Sequence, residues 1–351
     1  MPPHRTPIDT PEPIPPTMKT YTFAHPGPPS TTLHLNPTHP TPTLSTETSL
    51  LIRISHMALH PGATHMMQLL PAWTQHFPAV PETDFSGIVL STGTRVPLTP
   101  PPPPDAHRFF PPGTAVFGSI SVGQHLKNGT GALTEYLVVE MGDVARKPEG
   151  VSVVAAAGLG VSGVTALALV DVVEGVVGPL EGGERVLVNG ACGGVGHFVA
   201  QMLASRAGLV VVGACSRESG EVARGMGCVQ VVDYRGLEGR IDRGNGEEEE
   251  EEEELEVFHA IIDAYGSQGL WYAAGRWLKP DPGHVCVSVG PALEAYTFRS
   301  AVGVLVKQML NRFLPVWLGG IDRQYRQVTA WVDAKRLERL RVLAEEGVLK
   351  T

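Results

Sequence analysis

Cysteine is scarce in this chain. Of 351 residues only Cys192, Cys215, Cys228 and Cys286 are cysteine, and no two form a CxxC pair, so no disulfide framework is spelled out and a reduced, cytoplasmic setting is expected. Aromatic residues make up 6% and charged residues 18%, and no basic stripe runs beside the aromatics, which argues against a nucleic-acid partner. Acidic excess is local: eight units of the formal charge of −9 come from the unbroken glutamate run at 247–254. Eight adjacent like charges repel and read as a solvated loop rather than a partner-binding tail. Residues 1–17 are rich in proline and mix Arg5 with Asp9 and Glu12, unlike an Arg-rich, acid-poor transit segment. They are expected to be a disordered extension, with Met18 as an alternative start. Long apolar runs are few, and residues 151–170 form a predominantly apolar, charge-free stretch of membrane-spanning length. Its clustered glycines, small side chains and missing aromatic belt favour a buried interdomain helix over a span, so no membrane partner is expected.

Glycine and apolar residues are abundant: 40 glycines, and 42% hydrophobic residues, enough for two domains with their own cores. Residues 49–55, 85–91 and 131–140 read as short strands in a β-rich domain over 18–146. Within it, residues 96–112 carry five consecutive prolines at 100–104 and are expected to be an exposed polyproline-like loop. After residue 147 apolar strands alternate with helical patterns, which predicts an α/β domain with a doubly wound parallel sheet over 147–314, broken by an acidic loop at 236–256.

The stretch VLVNGACGGVGHFVAQMLA, residues 186–204, places four glycines in seven positions between a strand and a helix. Gly190, Gly193 and Gly196 would let the backbone turn tightly and bring helix N-terminal amides onto a pyrophosphate. A bare tight turn would not need the strand–helix–strand context found here. About 20 residues on, an NAD-binding chain would carry a carboxylate, but this one reads Gly213, Ala214, Cys215, Ser216, Arg217. Ser216 and Arg217 suit a 2′-phosphate and hence NADPH, unless Arg217 is simply a surface cation.

Together with ALHPG (58–62), PETDFSG (81–87), GTGALTEYLVV (129–139), the 147–169 segment, ACSR (214–217), VVDY (231–234), IIDAYGS (261–267) and VSVGP (287–291), this loop resembles the medium-chain dehydrogenase/reductase superfamily. The resemblance is to the zinc-independent, zeta-crystallin-like branch of quinone oxidoreductases and enoyl reductases, and it covers most of the chain. It implies a GroES-like β-barrel beside a Rossmann domain, with the nicotinamide between them. Gly193, Gly194, Val195 and Gly196 would then hold the pyrophosphate; Ser216, Arg217 and Tyr234 would surround the 2′-phosphate; Thr165, Val289 and Gly290 would line the nicotinamide end. His60 stands where the family has an asparagine and His65 near a tyrosine position, so either could donate a hydrogen bond or proton to the acceptor, or be a loop histidine with no such role.

Thr83 stands where zinc-dependent relatives have a ligand, and no cysteine precedes Cys192. No metal is expected, and His56, His60 and His65 lack a common helix face to form a site. Asp84 is expected to be structural, Cys192 a small filler, and Ser162 has Gly160 before it but Val164 where a nucleophile elbow needs glycine. Met66, Met67, Leu69 and Trp73 would line an apolar pocket or belong to the core. The expected substrate is a small apolar unsaturated carbonyl or a quinone, with a homodimer as a compatible assembly. Alternatives are a trans-acting enoyl reductase serving a polyketide synthase, and a nucleotide-binding but inactive protein. The last is considered because residues 315–351 are expected to begin a return to the catalytic domain that the chain does not finish.

Overall fold

The computed structural model describes residues 13–350 except 103–104, 106–107, 181, 236–256 and 294. The acidic run and most of the proline-rich extension therefore lie outside the described residues.

Two sheets organise the chain. The first is antiparallel, with strands β3 (Ser49–Ala58), β4 (Asp84–Thr92), β5 (Ala115–Ser119), β6 (Tyr136–Glu140) and β7 (Val144–Arg146) in the order β6-β3-β4-β5-β7. Leu50, Ile52, Phe85, Val89, Val116 and Leu137 meet on its inner side. Fully burying such a side chain contributes about 1.5–3 kcal/mol each. A hairpin-like pair, β1 (Thr17–Thr22) and β2 (His34–Pro40), lies alongside. Met18 is buried in β1, whose first residue, Thr17, is the last of the extension expected to be disordered. The proline-rich loop is pinned at both ends, because Val96 and Phe110 are buried in the same core.

The second sheet is parallel throughout: β8 (Arg185–Asn189), β9 (Val210–Cys215), β10 (Gln230–Asp233), β11 (Ala260–Asp263), β12 (Val285–Ser288) and β13 (Gln324–Gln327), in the order β10-β9-β8-β11-β12-β13. This is the 3-2-1-4-5-6 order of a dinucleotide fold, whose switch point lies between β8 and β11. Strands β8, β11 and β12 are almost wholly buried, as strands covered by helices on both faces must be. The doubly wound α/β expectation is met, with one correction at its C-terminal boundary. Residues 324–327, assigned to the return segment, form the sixth strand of this sheet instead. QYRQ lacks a β-branched run because β13 is an edge strand whose outer side meets solvent.

The charge-free 151–170 stretch breaks into two helices, Val153–Ala157 and Gly160–Val177. The second is long and apolar enough to cross a membrane by length and composition, but half of it is buried within the protein. At its start the buried Asp84 of β4 accepts the Val161 amide at 2.8 Å, tying the two sheets together. Gly160 must be glycine there, since a Cβ would fall 2.6 Å from the Asp84 carboxylate. The helix Ala334–Glu345 closes the joint from the other side: Leu340 packs where Gly163 leaves space, Arg339 pairs with Asp171 at 2.7 Å, and Glu345 accepts the Glu149 amide at 3.0 Å.

Candidate active site

The glycine loop sits at the switch point, between the end of β8 and the helix Gly196–Ala204. Gly190 has φ +75°, a region that favours glycine. Gly196 packs onto it so closely that a Cβ would lie 2.0 Å from the Gly190 carbonyl oxygen. Gly193 and Gly194 are exposed at the tip, and Val195 is half-buried behind them. The result is a cradle of backbone amides at a helix start, where no carbonyl of the same helix can pair with them. These residues fit a nucleotide diphosphate.

Beside the loop lies a cavity of about 380 Å³ lined by Asn189, Gly190, Cys192, Gly193, Ala214, Cys215, Ser216, Ser219, Tyr234 and Tyr265. It brings together the glycine loop, Ser216 and Tyr234 as the sequence anticipates. Arg217 is exposed on the short turn Arg217–Ser219 next to this lining, and Arg235 lies over the Tyr234 ring at 5.3 Å. Cys192, expected as a filler, shares the cavity wall with Cys215; burial pushes the Cys215 thiol up to about 12, so Cys215 is no nucleophile.

At the other end of the crevice, Val289 and Gly290 follow β12. The Val289 amide donates to the Asp263 carbonyl at 3.1 Å, and the Gly290 amide to Ser288 Oγ at 3.0 Å. Behind them is a buried network not read from the sequence. Asp263 accepts from Asn189 Nδ2 at 2.9 Å, Ser288 Oγ at 3.0 Å and the Gly266 amide at 2.9 Å, linking the ends of β8, β11 and β12. Burial holds its carboxyl above the ordinary range, against the pull of those hydrogen bonds. Its signal was present, since polar Asn189, Asp263 and Ser288 each end an apolar strand.

The catalytic candidates converge at the domain joint. His60 precedes the helix Pro61–Leu69, and its Nε2 lies 2.8 Å from Thr83 Oγ1. Thr83 in turn donates to Asp84 at 3.4 Å. His65, on that helix, packs against Tyr296 with the rings tilted by 43° and their centroids 5.3 Å apart. Burial, with His60 nearby, lowers its pKa below the usual histidine value, so it is a neutral hydrogen-bonding group rather than an acid. Thr165 is half-buried on the Gly160–Val177 helix, its hydroxyl donating to Val161 O at 2.7 Å. One turn earlier Ser162 Oγ faces Gly194, at 3.4 Å from where a Cβ would stand. His56 stays apart, exposed on β3. Met66 and Met67 are buried in the core, whereas Trp73 is 86% exposed and lines nothing there.

A 3-2-1-4-5-6 parallel sheet with a glycine cradle, joined to an antiparallel domain that brings polar side chains to the cleft, defines a two-domain protein of the dinucleotide-binding class. The comparisons place it further. The medium chain reductase pydE of an Acremonium species is 30% identical over 355 residues, covering 95% of this chain and 90% of pydE. The trans-enoyl reductase poxH of Penicillium oxalicum is 26% identical, again over 95% and 90%. The Escherichia coli quinone oxidoreductase, solved with NADPH, shares the fold with a TM-score of 0.64 at 18% identity, covering 95% of this chain and 89% of that one. No family model matches. The chain belongs to the medium-chain dehydrogenase/reductase superfamily, in the branch of the quinone oxidoreductases and enoyl reductases, and is an oxidoreductase that uses a nicotinamide cofactor.

Proposed function

We propose that the chain is a zinc-independent, NADPH-dependent reductase of the conjugated C=C bond or quinone of a small apolar acceptor. The end of β9 carries this reading: Ser216 and Arg217 stand beside the cavity where an NAD enzyme would place a carboxylate. The nicotinamide supplies a hydride when bound. The chain's own residues orient the acceptor between the domains, with His60 and His65 offering hydrogen bonds to the oxygen on which negative charge develops. Oxidation of NADPH with a panel of enones, enals and quinones tests this, and no turnover with any of them would sink it. Arg217→Glu is expected to weaken NADPH roughly tenfold or more while changing NADH little, because a charged hydrogen bond is lost and a repulsion added. Fluorescence titration with both nucleotides reads this; a wild type that binds them equally would return Arg217 to the solvent.

A second reading, an enoyl reductase whose acceptor arrives tethered to another protein, is favoured by one surface. The helix Phe298–Phe313 exposes Phe298, Leu305, Met309 and Phe313 beside Arg299 and Arg312. A much higher kcat/KM for a carrier-bound enoyl thioester than for the free thioester would select it.

A further inference from the structure

Glu82 is the only non-glycine residue among those described with φ in the left-handed region, at 64°. Such a conformation persists only where the surroundings over-determine it, and these positions cluster at functional sites. The side chain is buried, and its Oε2 accepts the His60 backbone amide at 3.2 Å. The same oxygen lies 4.0 Å from His60 Nε2, one small rotation or one water from a direct hydrogen bond. Thr83 holds that ring nitrogen at 2.8 Å, and the opposite edge of the ring covers Gly62, where a Cβ would come within 2.8 Å. His60 is therefore clamped by three neighbours. Through Asp84, the Val161 amide and Ser162, this cluster connects to the glycine loop at Gly194.

The titratable groups around Glu82 are His60 on one side and Asp84 of β4 on the other, with His65 beyond His60. Burial pushes the Glu82 carboxyl up to about 7; the His60 amide opposes this and Asp84 adds to it. The carboxyl thus gains and loses its proton near neutral pH, well above the ordinary carboxylate range.

We propose that Glu82 and His60 hold one transferable proton between them, and that Glu82 is the positioning residue that keeps the His60 ring supplied with it for the reduced acceptor. The inference rests on the reductase reading above. Once a hydride has reached a carbon of the acceptor, the electron pair displaced onto oxygen leaves an enolate or phenolate. An N–H bond of the His60 imidazolium breaks, its electrons stay on the ring nitrogen, and a new O–H or C–H bond forms on the acceptor. The Glu82 carboxyl, whose proton made that imidazolium, is left as the carboxylate beside a neutral ring and takes a new proton from solvent.

The proton is lost as pH rises through about 7, so the rate of acceptor reduction falls over that range. Glu82→Gln keeps an oxygen for the His60 amide but holds no proton. It is expected to slow reduction by roughly one to two decades and to remove that fall, with nucleotide affinity unchanged. Glu82→Gly relieves the backbone, so it should melt at a higher temperature than the wild type and still reduce slowly, which a merely structural glutamate would not produce. Carbon-13 spectra of glutamate-labelled protein give a readout without turnover: one carboxyl should titrate near 7 and be absent from Glu82→Gln. A Glu82 carboxyl titrating in the ordinary range, or a Glu82→Gln pH profile that overlays the wild type, would overturn the proposal. If the wild type reduces no acceptor, the reductase reading falls on its own, and the carboxyl titration decides whether the shared proton exists.

Discussion

Gly196 has no room for a side chain, and the reason lies in one carbonyl oxygen 2.0 Å from where its Cβ would stand. Gly196→Ala must push the helix start away from Gly190, which both strains the fold and spoils the amide cradle. A loss of about 2–4 kcal/mol in unfolding free energy, with nucleotide binding reduced in the remaining folded protein, is expected from urea denaturation and fluorescence titration. An unchanged midpoint and affinity would show that the loop relaxes freely. This residue was legible beforehand, because so close a backbone approach leaves glycine as the only spelling. Glu82 was not. Nothing in PETDFSG announces a left-handed residue when the residue is not glycine, and its burial against His60 depends on a chain segment 22 positions away. Likewise Arg217 could be named from its place after β9, while Asp263 went unread because its side-chain partners come from two other strands, β8 and β12.

At the scale of elements, the buried strands were the easy ones. β8, β9, β11 and β12 are dominated by apolar and β-branched residues, and their places in the chain could be marked before any coordinates. β2 and β13 escaped notice for a shared physical reason. HLNPTHP and QYRQ are largely solvated, so neither shows a buried run or a clear alternation, and β2 tolerates its prolines in a two-stranded sheet. The Gly160–Val177 helix was anticipated as a buried interdomain element, but not the buried carboxylate that caps it. Asp84→Ala should leave the Val161 amide unpaired inside the protein and cost about 1–3 kcal/mol. Asp84→Asn keeps an acceptor oxygen and carries no charge to bury, so it should cost less, given that burial already holds the Asp84 carboxyl above its usual range. Denaturant midpoints of the two variants decide this; equal losses would mean that the charge, and not the hydrogen bond, holds the helix.

For the whole molecule, the arrangement at the joint bears on metal as well as on mechanism. His60 and Thr83 are committed to each other at 2.8 Å, and among the described residues no group of three or more His, Cys, Asp or Glu side chains is gathered to hold an ion. Elemental analysis of the purified protein is expected to find no stoichiometric zinc, and chelator should leave reduction unchanged. One tightly held zinc per chain would move the protein to the zinc-dependent side of its superfamily. The order in which the joint is built has a further consequence, for synthesis. Strands β3 to β7 are complete once residue 146 has been made, yet the helix that fastens both sheets together begins only at Ala334. At about 5–20 residues per second the ribosome takes roughly 10–40 s to cover that interval. Throughout it the nascent antiparallel domain carries an uncovered face on β7 and must wait for the strands of its neighbour to assemble, so demand for a chaperone should peak in this interval.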